Sequence, residues 1–255
     1  MMPAESYAAM SGLLAGRIAL VTGASRGIGE ATALALAKAG AHVVAVARTT
    51  IGLAEFDAAI RAGGGTATLM PLDMKNRDSI FGLAGEIDRR FGRLDIMVAN
   101  AGILGTGAPA DQIDPAVWDD IIAVNLTANL HLIRAMHPLL KKSDAGRAVF
   151  VTSGISWRGL PNLAAYAASK AALNALVQAY ASENEATPLR ANLFSPGATR
   201  TDLYAAAFPN ADSSALATPE DIAEKLVQAC LPSLAETGKV YEFRQKKWLN
   251  LKPPA

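Results

Sequence analysis

The sequence predicts an α/β protein built on a doubly wound, seven-stranded parallel sheet with helices on both faces. From residue 17 onward, short and nearly continuous apolar runs alternate with longer helical stretches, and such runs are typical of strands buried on both faces. The intervening helices require parallel strands joined by right-handed crossovers. A chain of 255 residues fits one such domain. We expect a disordered extension over residues 1–15 and a single domain over 16–255.

The predicted elements follow one another in a regular order. We expect strands at residues 18–22, 42–47, 66–72, 94–99, 149–153, 190–195 and 239–243. We expect helices at residues 27–39, up to 62, 76–91, 115–141, 164–184 and 219–231. Residues 202–217 have no clear period and are predicted to be irregular. The tail from Arg244 onward is basic and ends in proline, so we interpret it as a solvated tail or as a subunit-contact arm.

Composition favours small molecules as partners. The formal net charge is +1, which gives no indication of nucleic-acid binding or of a basic membrane-binding surface. The single cysteine, Cys230, excludes an intrachain disulfide and fits a small core residue. No signal-peptide pattern or bilayer-spanning apolar run is present, so a cytoplasmic protein is expected.

A glycine-rich turn joins the first strand to the first helix. Gly23, Gly27 and Gly29 let the backbone approach a bulky anion, and the start of the helix directs unpaired N–H groups and the positive dipole end toward that anion. A dinucleotide pyrophosphate fits this description, which predicts a Rossmann-type fold. The alternative is a tight connection with close helix–strand packing and no ligand.

Tyr166 and Lys170 are four residues apart near the start of a long helix, so they share one helix face. We expect the ammonium and the helix N-terminus to lower the pKa of the phenol and make it a usable acid. The alternative is an amphipathic tyrosine above a solvated lysine.

Ser153 ends the fifth strand at the same edge of the sheet, or simply caps its loop. Asn125 lies inside the fourth helix, where its amide needs partners; it could equally be a satisfied core amide.

The end of the second strand indicates which dinucleotide binds. An acidic residue there would select NAD, but this chain has Ala47-Arg48-Thr49. Arg48 leaves room for a 2′-phosphate, and Arg26 in the glycine turn brings a second guanidinium toward it. Either arginine could instead be a solvated surface charge. The pattern favours NADP(H).

Together these residues resemble the motifs of the short-chain dehydrogenases/reductases, of the compact single-domain type that includes 3-oxoacyl carrier-protein reductases. The resemblance covers roughly residues 16–243. It rests on Thr22-Gly-Ala-Ser-Arg-Gly-Ile-Gly29, Asp73, Asn100-Ala-Gly102, Asn125, Ser153, Tyr166-Ala-Ala-Ser-Lys170 and Pro196-Gly197, which stand in the family's order and at its spacings.

The resemblance implies a Ser-Tyr-Lys-Asn tetrad. Tyr166 would protonate the carbonyl oxygen as hydride arrives from the nicotinamide, or take the alcohol proton in reverse. Lys170 would lower the pKa of the tyrosine and hydrogen-bond the nicotinamide ribose. Ser153 would hold the carbonyl oxygen, and Asn125 would fix a water that relays protons to Lys170. No metal is required.

The resemblance also implies a cofactor site. Its residues would be Gly23, Ser25, Arg26, Gly27, Ile28, Gly29, Arg48, Asp73, Met74, Asn100, Ala101, Gly102, Tyr166, Lys170, Pro196, Gly197 and Thr201. Gly23, Gly27 and Ile28 would border the pyrophosphate, and Thr201 would meet the nicotinamide carboxamide. The substrate would be a ketone or aldehyde with a hydrophobic flank.

The loop over residues 154–160 and the irregular stretch over residues 202–217, which includes Phe208, are expected to wall the substrate. Trp157, Leu203 and Tyr204 supply apolar side chains there, and Ser153 supplies the polar group.

Alanine and leucine on the outer faces of the two long helices predict a homo-oligomer, a tetramer or a dimer, although the alanines could merely let the helices lie close to the sheet. The expected activity is NADP(H)-dependent carbonyl reduction or alcohol oxidation. The alternative is a catalytically idle NADP-binding sensor or scaffold.

Overall fold

The computed structural model describes residues 12–251, and for residues 50–55 it describes the backbone alone. Residues 1–11 of the predicted extension and residues 252–255 of the tail lie outside this range. Within the extension, Leu14 is fully buried and its N–H donates to Ala39 O at 2.9 Å. The packed part of the chain therefore includes Leu14, two residues before the expected start of the domain.

One sheet organises the described chain. Its strands are β1 (Ile18–Thr22), β2 (His42–Ala47), β3 (Thr66–Pro71), β4 (Ile96–Ala99), β5 (Arg147–Val151), β6 (Arg190–Ser195), β7 (Lys239–Glu242) and β8 (Lys247–Asn250). Their spatial order is β3-β2-β1-β4-β5-β6-β7-β8, and the first seven strands are parallel. The order reverses between β1 and β4, and ligands of doubly wound sheets bind at the carboxyl ends of the strands at such a point.

The expected count of seven strands is wrong by one, because part of the tail forms β8. This strand pairs antiparallel with β7, placing Trp248 opposite Tyr241. The Trp248 ring meets the Tyr241 ring edge-on at 5.3 Å, and Tyr241 stacks on Phe194 at 5.3 Å. These aromatic contacts stabilise a hairpin where we expected a solvated tail.

Helices cover both faces of the sheet. They are α1 (Gly27–Lys38), α2 (Thr50–Ala62), α3 (Arg77–Phe91), α4 (Pro115–Ile122), α5 (Ala128–Leu140), α6 (Ala164–Ser182), α7 (Asp202–Ala207) and α8 (Pro219–Ala229). Residues Ala123–Thr127 form a π-helical segment between α4 and α5, within the single helix predicted there. Helix α7 lies in the stretch expected to be irregular; the Thr201 hydroxyl accepts from Tyr204 N and caps it at 3.2 Å.

The apolar core lies in two layers, one on each side of the sheet. Leu36, Phe56 and Leu226 are fully buried in the layer under α1, α2 and α8. Ile80 and Leu173 are fully buried in the layer under α3, α5 and α6. This double cover explains the continuous apolar strands and holds the carboxyl edge of the sheet rigid. Among residues 12–251, no helix combines the length and apolarity that a bilayer crossing needs.

Candidate active site

A large cavity opens along the carboxyl ends of the parallel strands. Its volume is about 1340 Å³, which exceeds the roughly 300–1,000 Å³ of pockets that hold drug-sized ligands. All the predicted cofactor residues except Gly29 line it, as do Ser153, Trp157, Leu203 and Tyr204. Asn125 does not line it. The sequence therefore placed most of its candidate residues at one edge of the sheet.

The glycine turn forms a close-packed cradle at one wall of this cavity. Gly23 has a φ of +69°, which disfavours other residues. A Cβ at Gly29 would lie 2.1 Å from Gly23 O, so this glycine serves the packing of α1 against the turn rather than direct ligand contact. No side chain caps the start of α1 at Arg26. An extended anion such as a dinucleotide pyrophosphate fits beside these N–H groups.

Two arginines line the cavity near the carboxyl ends of β1 and β2. Arg48 is exposed, follows β2, and lines the cavity next to Thr49. Arg26 also lines it, and its Nη1 lies 3.1 Å from Asp202 Oδ2 at the start of α7. Both members of this ion pair are largely exposed, so the pair contributes about 1 kcal/mol or less. Arg26 thus links the glycine turn to α7, a contact that the sequence did not indicate.

Ser153, Tyr166 and Lys170 meet in the cavity between β5 and α6. Tyr166 is 8% exposed, and the Ser153 side chain lies close enough to lower the pKa of its phenol through a hydrogen-bonding interaction. The Ser153 hydroxyl also accepts from Ile155 N at 3.3 Å, which leaves its proton for the phenol. Lys170 is buried; its Nζ donates to Val151 O at 2.9 Å and lies 5.9 Å from the Tyr166 ring centroid. One strand end and one helix turn therefore bring together a hydroxyl, a phenol and an ammonium.

The predicted lowering of the tyrosine pKa does not occur in this structure. Burial raises the pKa of Tyr166 to about 12, and the Ser153 hydrogen bond opposes this rise only in part. Burial lowers the pKa of Lys170 to about 8. The sequence interpretation was wrong because it counted the favourable ammonium and omitted the desolvation of both groups. At neutral pH the phenol is a neutral proton donor beside a largely protonated lysine.

Asn125 lies in the π-helical segment, where its amide is fully used inside the protein. Its Oδ1 accepts from Ile103 N at 2.9 Å, and its Nδ2 donates to Ile103 O at 2.9 Å and to Ser169 Oγ at 3.0 Å. Its backbone O accepts from Asn129 Nδ2 at 2.8 Å. The side chain matches the satisfied core amide that we weighed as an alternative. It ties the loop after β4 to α6, one residue before Lys170.

A buried hydrogen-bond chain behind Ser153 was missed at the sequence level. Thr152 Oγ1 donates to Asn174 Oδ1 at 2.6 Å, and Asn174 Nδ2 donates to Ser156 Oγ at 2.9 Å. Ser156 Oγ in turn donates to Ser153 O at 2.6 Å. Asn174 comes four residues after Lys170 on the same face of α6. This spacing is the sequence feature that could have indicated Asn174 as part of the site. The chain fixes the Ser153 loop against the helix that carries Tyr166 and Lys170.

Apolar side chains also line the cavity. Trp157 follows Ser153 in a short 3₁₀ turn and is 45% exposed, and Leu203 on α7 is 37% exposed. Tyr204 packs against Phe208 with ring centroids 5.0 Å apart. Trp157, Leu203, Tyr204 and Phe208 all line the cavity, and their contact with a substrate stays a prediction.

A doubly wound parallel sheet with a glycine cradle, and a Ser-Tyr-Lys group at the same edge, define an oxidoreductase that uses a nicotinamide cofactor. The family model described as short chain dehydrogenase matches residues 17–212. The chain belongs to the short chain dehydrogenase family, which the sequence resemblance predicted.

Relatives of known sequence and structure agree with this assignment. The chain is 39% identical over 219 residues to the uncharacterized oxidoreductase YciK of Escherichia coli (strain K12), covering 85% of this chain and 86% of YciK. It is 37% identical over 187 residues to a 3beta-hydroxysteroid dehydrogenase of Mediterraneibacter gnavus, covering 73% of this chain and 67% of that protein. A short chain dehydrogenase of Shigella flexneri 2a complexed with NADP has 38% identity and a TM-score of 0.87, covering 90% of this chain and 98% of that chain.

Proposed function

We propose that this protein is an NADP(H)-dependent carbonyl reductase that transfers hydride between the cofactor and a ketone or aldehyde, or oxidises the corresponding secondary alcohol. The observation that carries the proposal is the buried contact of Tyr166 with Ser153 and Lys170 inside the cavity of the glycine cradle. The nicotinamide supplies the hydride when it is bound. The protein's own residues bind, orient and move the proton.

Tyr166 acts as the general acid in the reducing direction. With a pKa of about 12 it holds its proton throughout the neutral range and gives it to the carbonyl oxygen as negative charge develops there. In the oxidising direction the phenolate form of Tyr166 takes the alcohol proton, so the phenol must first lose its own proton and this direction is favoured at alkaline pH. Ser153 orients the substrate oxygen: when substrate is bound, its one hydroxyl proton is donated to that oxygen instead of to the phenol, while the hydroxyl still accepts from Ile155 N.

Lys170 holds positive charge beside the phenol and binds the nicotinamide ribose. Its Nζ uses one donor on Val151 O, and a lysine ammonium has three, so donors remain for the ribose hydroxyls. A Cβ at Gly102 would lie 3.5 Å from this Nζ, so the glycine keeps that side of the lysine open. Asn125 positions the loop and helix around it. A proton relay through water at Asn125 stays a prediction.

Arg48 selects NADP(H) by binding the 2′-phosphate. It has no hydrogen-bond or ion-pair partner within residues 12–251, and it lines the cavity beyond the end of β2. The solved Shigella flexneri relative contains NADP, which supports the same choice here. If Arg26 breaks its ion pair with Asp202, it can bind the 2′-phosphate together with Arg48.

The protein assembles as a homo-oligomer through the outer faces of the long helices. Trp118 on α4 and Leu130 on α5 are 39% and 40% exposed, which supports a contact with a second copy. We expect light scattering at micromolar concentration to give the mass of a dimer or tetramer. A persistent mass of 26.5 kDa would contradict this.

The proposed function is tested by following NADPH oxidation against a diverse panel of ketones and aldehydes. We expect turnover of several carbonyl compounds with apolar flanks. A protein that binds NADPH and reduces none of them would favour the alternative, an idle NADP-binding sensor or scaffold.

A further inference from the structure

The charged groups on the cavity wall are unequally paired. Among described residues, seven cationic side chains and four carboxylates line the cavity. Two of the carboxylates pair with a cation, Asp120 with Lys75 and Asp202 with Arg26, whereas Asp73 and Glu242 accept only from the backbone N–H groups of Lys75 and Arg244. Three guanidinium groups have no partner within residues 12–251: those of Arg48, Arg158 and Arg244.

Arg48 is accounted for by the cofactor phosphate, but Arg158 and Arg244 lie at the other end of the cavity. A Cβ at Gly154, the neighbour of Ser153, would lie 3.8 Å from Arg158 Nη2. A Cβ at Gly197 would lie 3.1 Å from Arg244 Cγ. Both arginine side chains therefore line the end of the cavity that holds Ser153 and the Pro196-Gly197 turn.

The sheet register brings these two arginines to opposite sides of one small area. Strands β5, β6 and β7 are consecutive neighbours, with Val151 opposite Phe194 and Ser195 opposite Glu242. Arg158 lies in the loop after β5, and Arg244 comes two residues after the end of β7. Neighbouring strands are about 4.8 Å apart, so the ends of β5 and β7 are roughly 10 Å apart, with Pro196-Gly197 between them. An anion of modest size placed there can be reached from both sides.

Apolar side chains share this end of the cavity with the charged groups named above. Trp157, Leu203, Tyr204 and Phe208 form the wall described above, and none of them neutralises a guanidinium. We propose that the substrate is an oxo acid, in which an apolar skeleton carries both the carbonyl group and a carboxylate that Arg158 and Arg244 bind. Guanidinium groups suit carboxylates because they donate two parallel hydrogen bonds to them. The proposal rests on the proposed carbonyl reduction and narrows its substrate class.

Matched substrate pairs test this inference. Aliphatic and aryl oxo acids are compared with their own primary amides, which keep the carbonyl and the skeleton and lose the charge. We expect the parent protein to favour each acid over its amide in kcat/KM, and Arg158→Gln and Arg244→Gln each to reduce that ratio about fivefold, as suits exposed ion pairs. Arg134→Gln removes an exposed arginine of α5 that does not line the cavity, and it should leave the ratio at its parent value.

Salt and binding measurements complete the design. Raising ionic strength should increase KM for the acids and leave KM for the amides nearly constant. An equal ratio in the parent and both arginine variants, with amides still reduced, would overturn the oxo-acid inference and leave carbonyl reduction standing. If nothing is reduced, binding of acids and amides to the NADPH-loaded Tyr166→Phe protein decides the inference separately: equal affinities would overturn it.

Discussion

Lys170 shows how the site is maintained at a cost to stability. Folding lowers the pKa of this lysine from 10.5 to about 8, so the folded state favours its neutral form. Its contribution to the free energy of unfolding is therefore fully present above about pH 10.5 and is lost as the pH falls through about 8. At neutral pH the protein keeps a buried ammonium with one carbonyl partner, Val151 O.

Replacing this lysine should reveal that cost. Relative to the parent, we expect Lys170→Met to gain free energy of unfolding as the pH falls from about 10 to about 7, by roughly 3 kcal/mol at most, since each pKa unit is worth about 1.4 kcal/mol. Urea unfolding at both pH values measures the change. Lys141→Met, at the exposed end of α5, is the control and should show little dependence on pH. A Lys170→Met difference that is the same at both pH values would contradict the account.

Arg48, at the other end of the cavity, is the residue that we propose as the determinant of cofactor preference. Arg48→Asp replaces a phosphate-binding group by an acceptor for a ribose hydroxyl, so we expect the ratio of Kd values to move toward NAD(H) by roughly tenfold or more. Titration with NADPH and NADH measures both constants, and Arg134→Asp is the matched control. If the ratio stays constant, another residue reads the 2′-phosphate.

At the scale of elements, β5 and α6 hold the reacting groups in register through Thr152, Asn174 and Ser156. Asn174→Leu removes the middle of that hydrogen-bond chain and frees the Ser153 loop, so we expect kcat to fall about tenfold or more while the Kd for NADPH changes little. The hydrogen bond of Ser153 lowers the pKa of Tyr166, so weakening it should raise that pKa. The rise in the rate of alcohol oxidation with pH should then occur at higher pH.

Other causes of a shifted pH profile in Asn174→Leu are controlled by the groups around Tyr166 and by a second variant. Lys170 contacts the Tyr166 ring and is retained in this variant. Asn184→Leu removes another buried asparagine, just after α6, which donates to Tyr180 O at 2.7 Å. It should lower stability and leave kcat and the pH profile in place. Equal effects of the two substitutions would show that Asn174 is merely structural.

The elements also show where sequence reasoning stops. The strands β1, β2, β4, β5 and β6 were predictable because they are buried almost throughout and their apolar runs record that burial. The half-buried strands β3 and β7 were predictable from their place in the alternation of strands and helices. Strand β8 was not predictable, since its turn places Lys246 at a φ of 53° without glycine, and its support comes from Trp248 meeting Tyr241. The π-helical segment at Asn125 was also hidden, because it is set by the partners Ile103 and Ser169 on other elements.

At the scale of the whole molecule, the sheet edge explains why distant motifs in the sequence meet in one cavity. The spacing of Tyr166 and Lys170 was visible in the sequence, and so was the position of Ser153 after a strand. Their pKa values were not, because desolvation depends on everything packed around α6. The contact of Arg26 with Asp202 joins residues 176 positions apart, and no local pattern encodes it.

The most direct test of the account removes one oxygen from Tyr166. Tyr166→Phe keeps the ring and its packing, so the Kd for NADPH and the melting temperature should hardly change. The matched control is Tyr180→Phe, because Tyr180 lies on the same helix as Tyr166. This change removes a hydroxyl that hydrogen-bonds His137 Nδ1 at 3.0 Å. We predict that single-turnover hydride transfer at saturating NADPH falls at least about 10²-fold for Tyr166→Phe and stays near the parent rate for Tyr180→Phe. A Tyr166→Phe rate within about threefold of the parent would contradict the assignment of Tyr166 as the general acid.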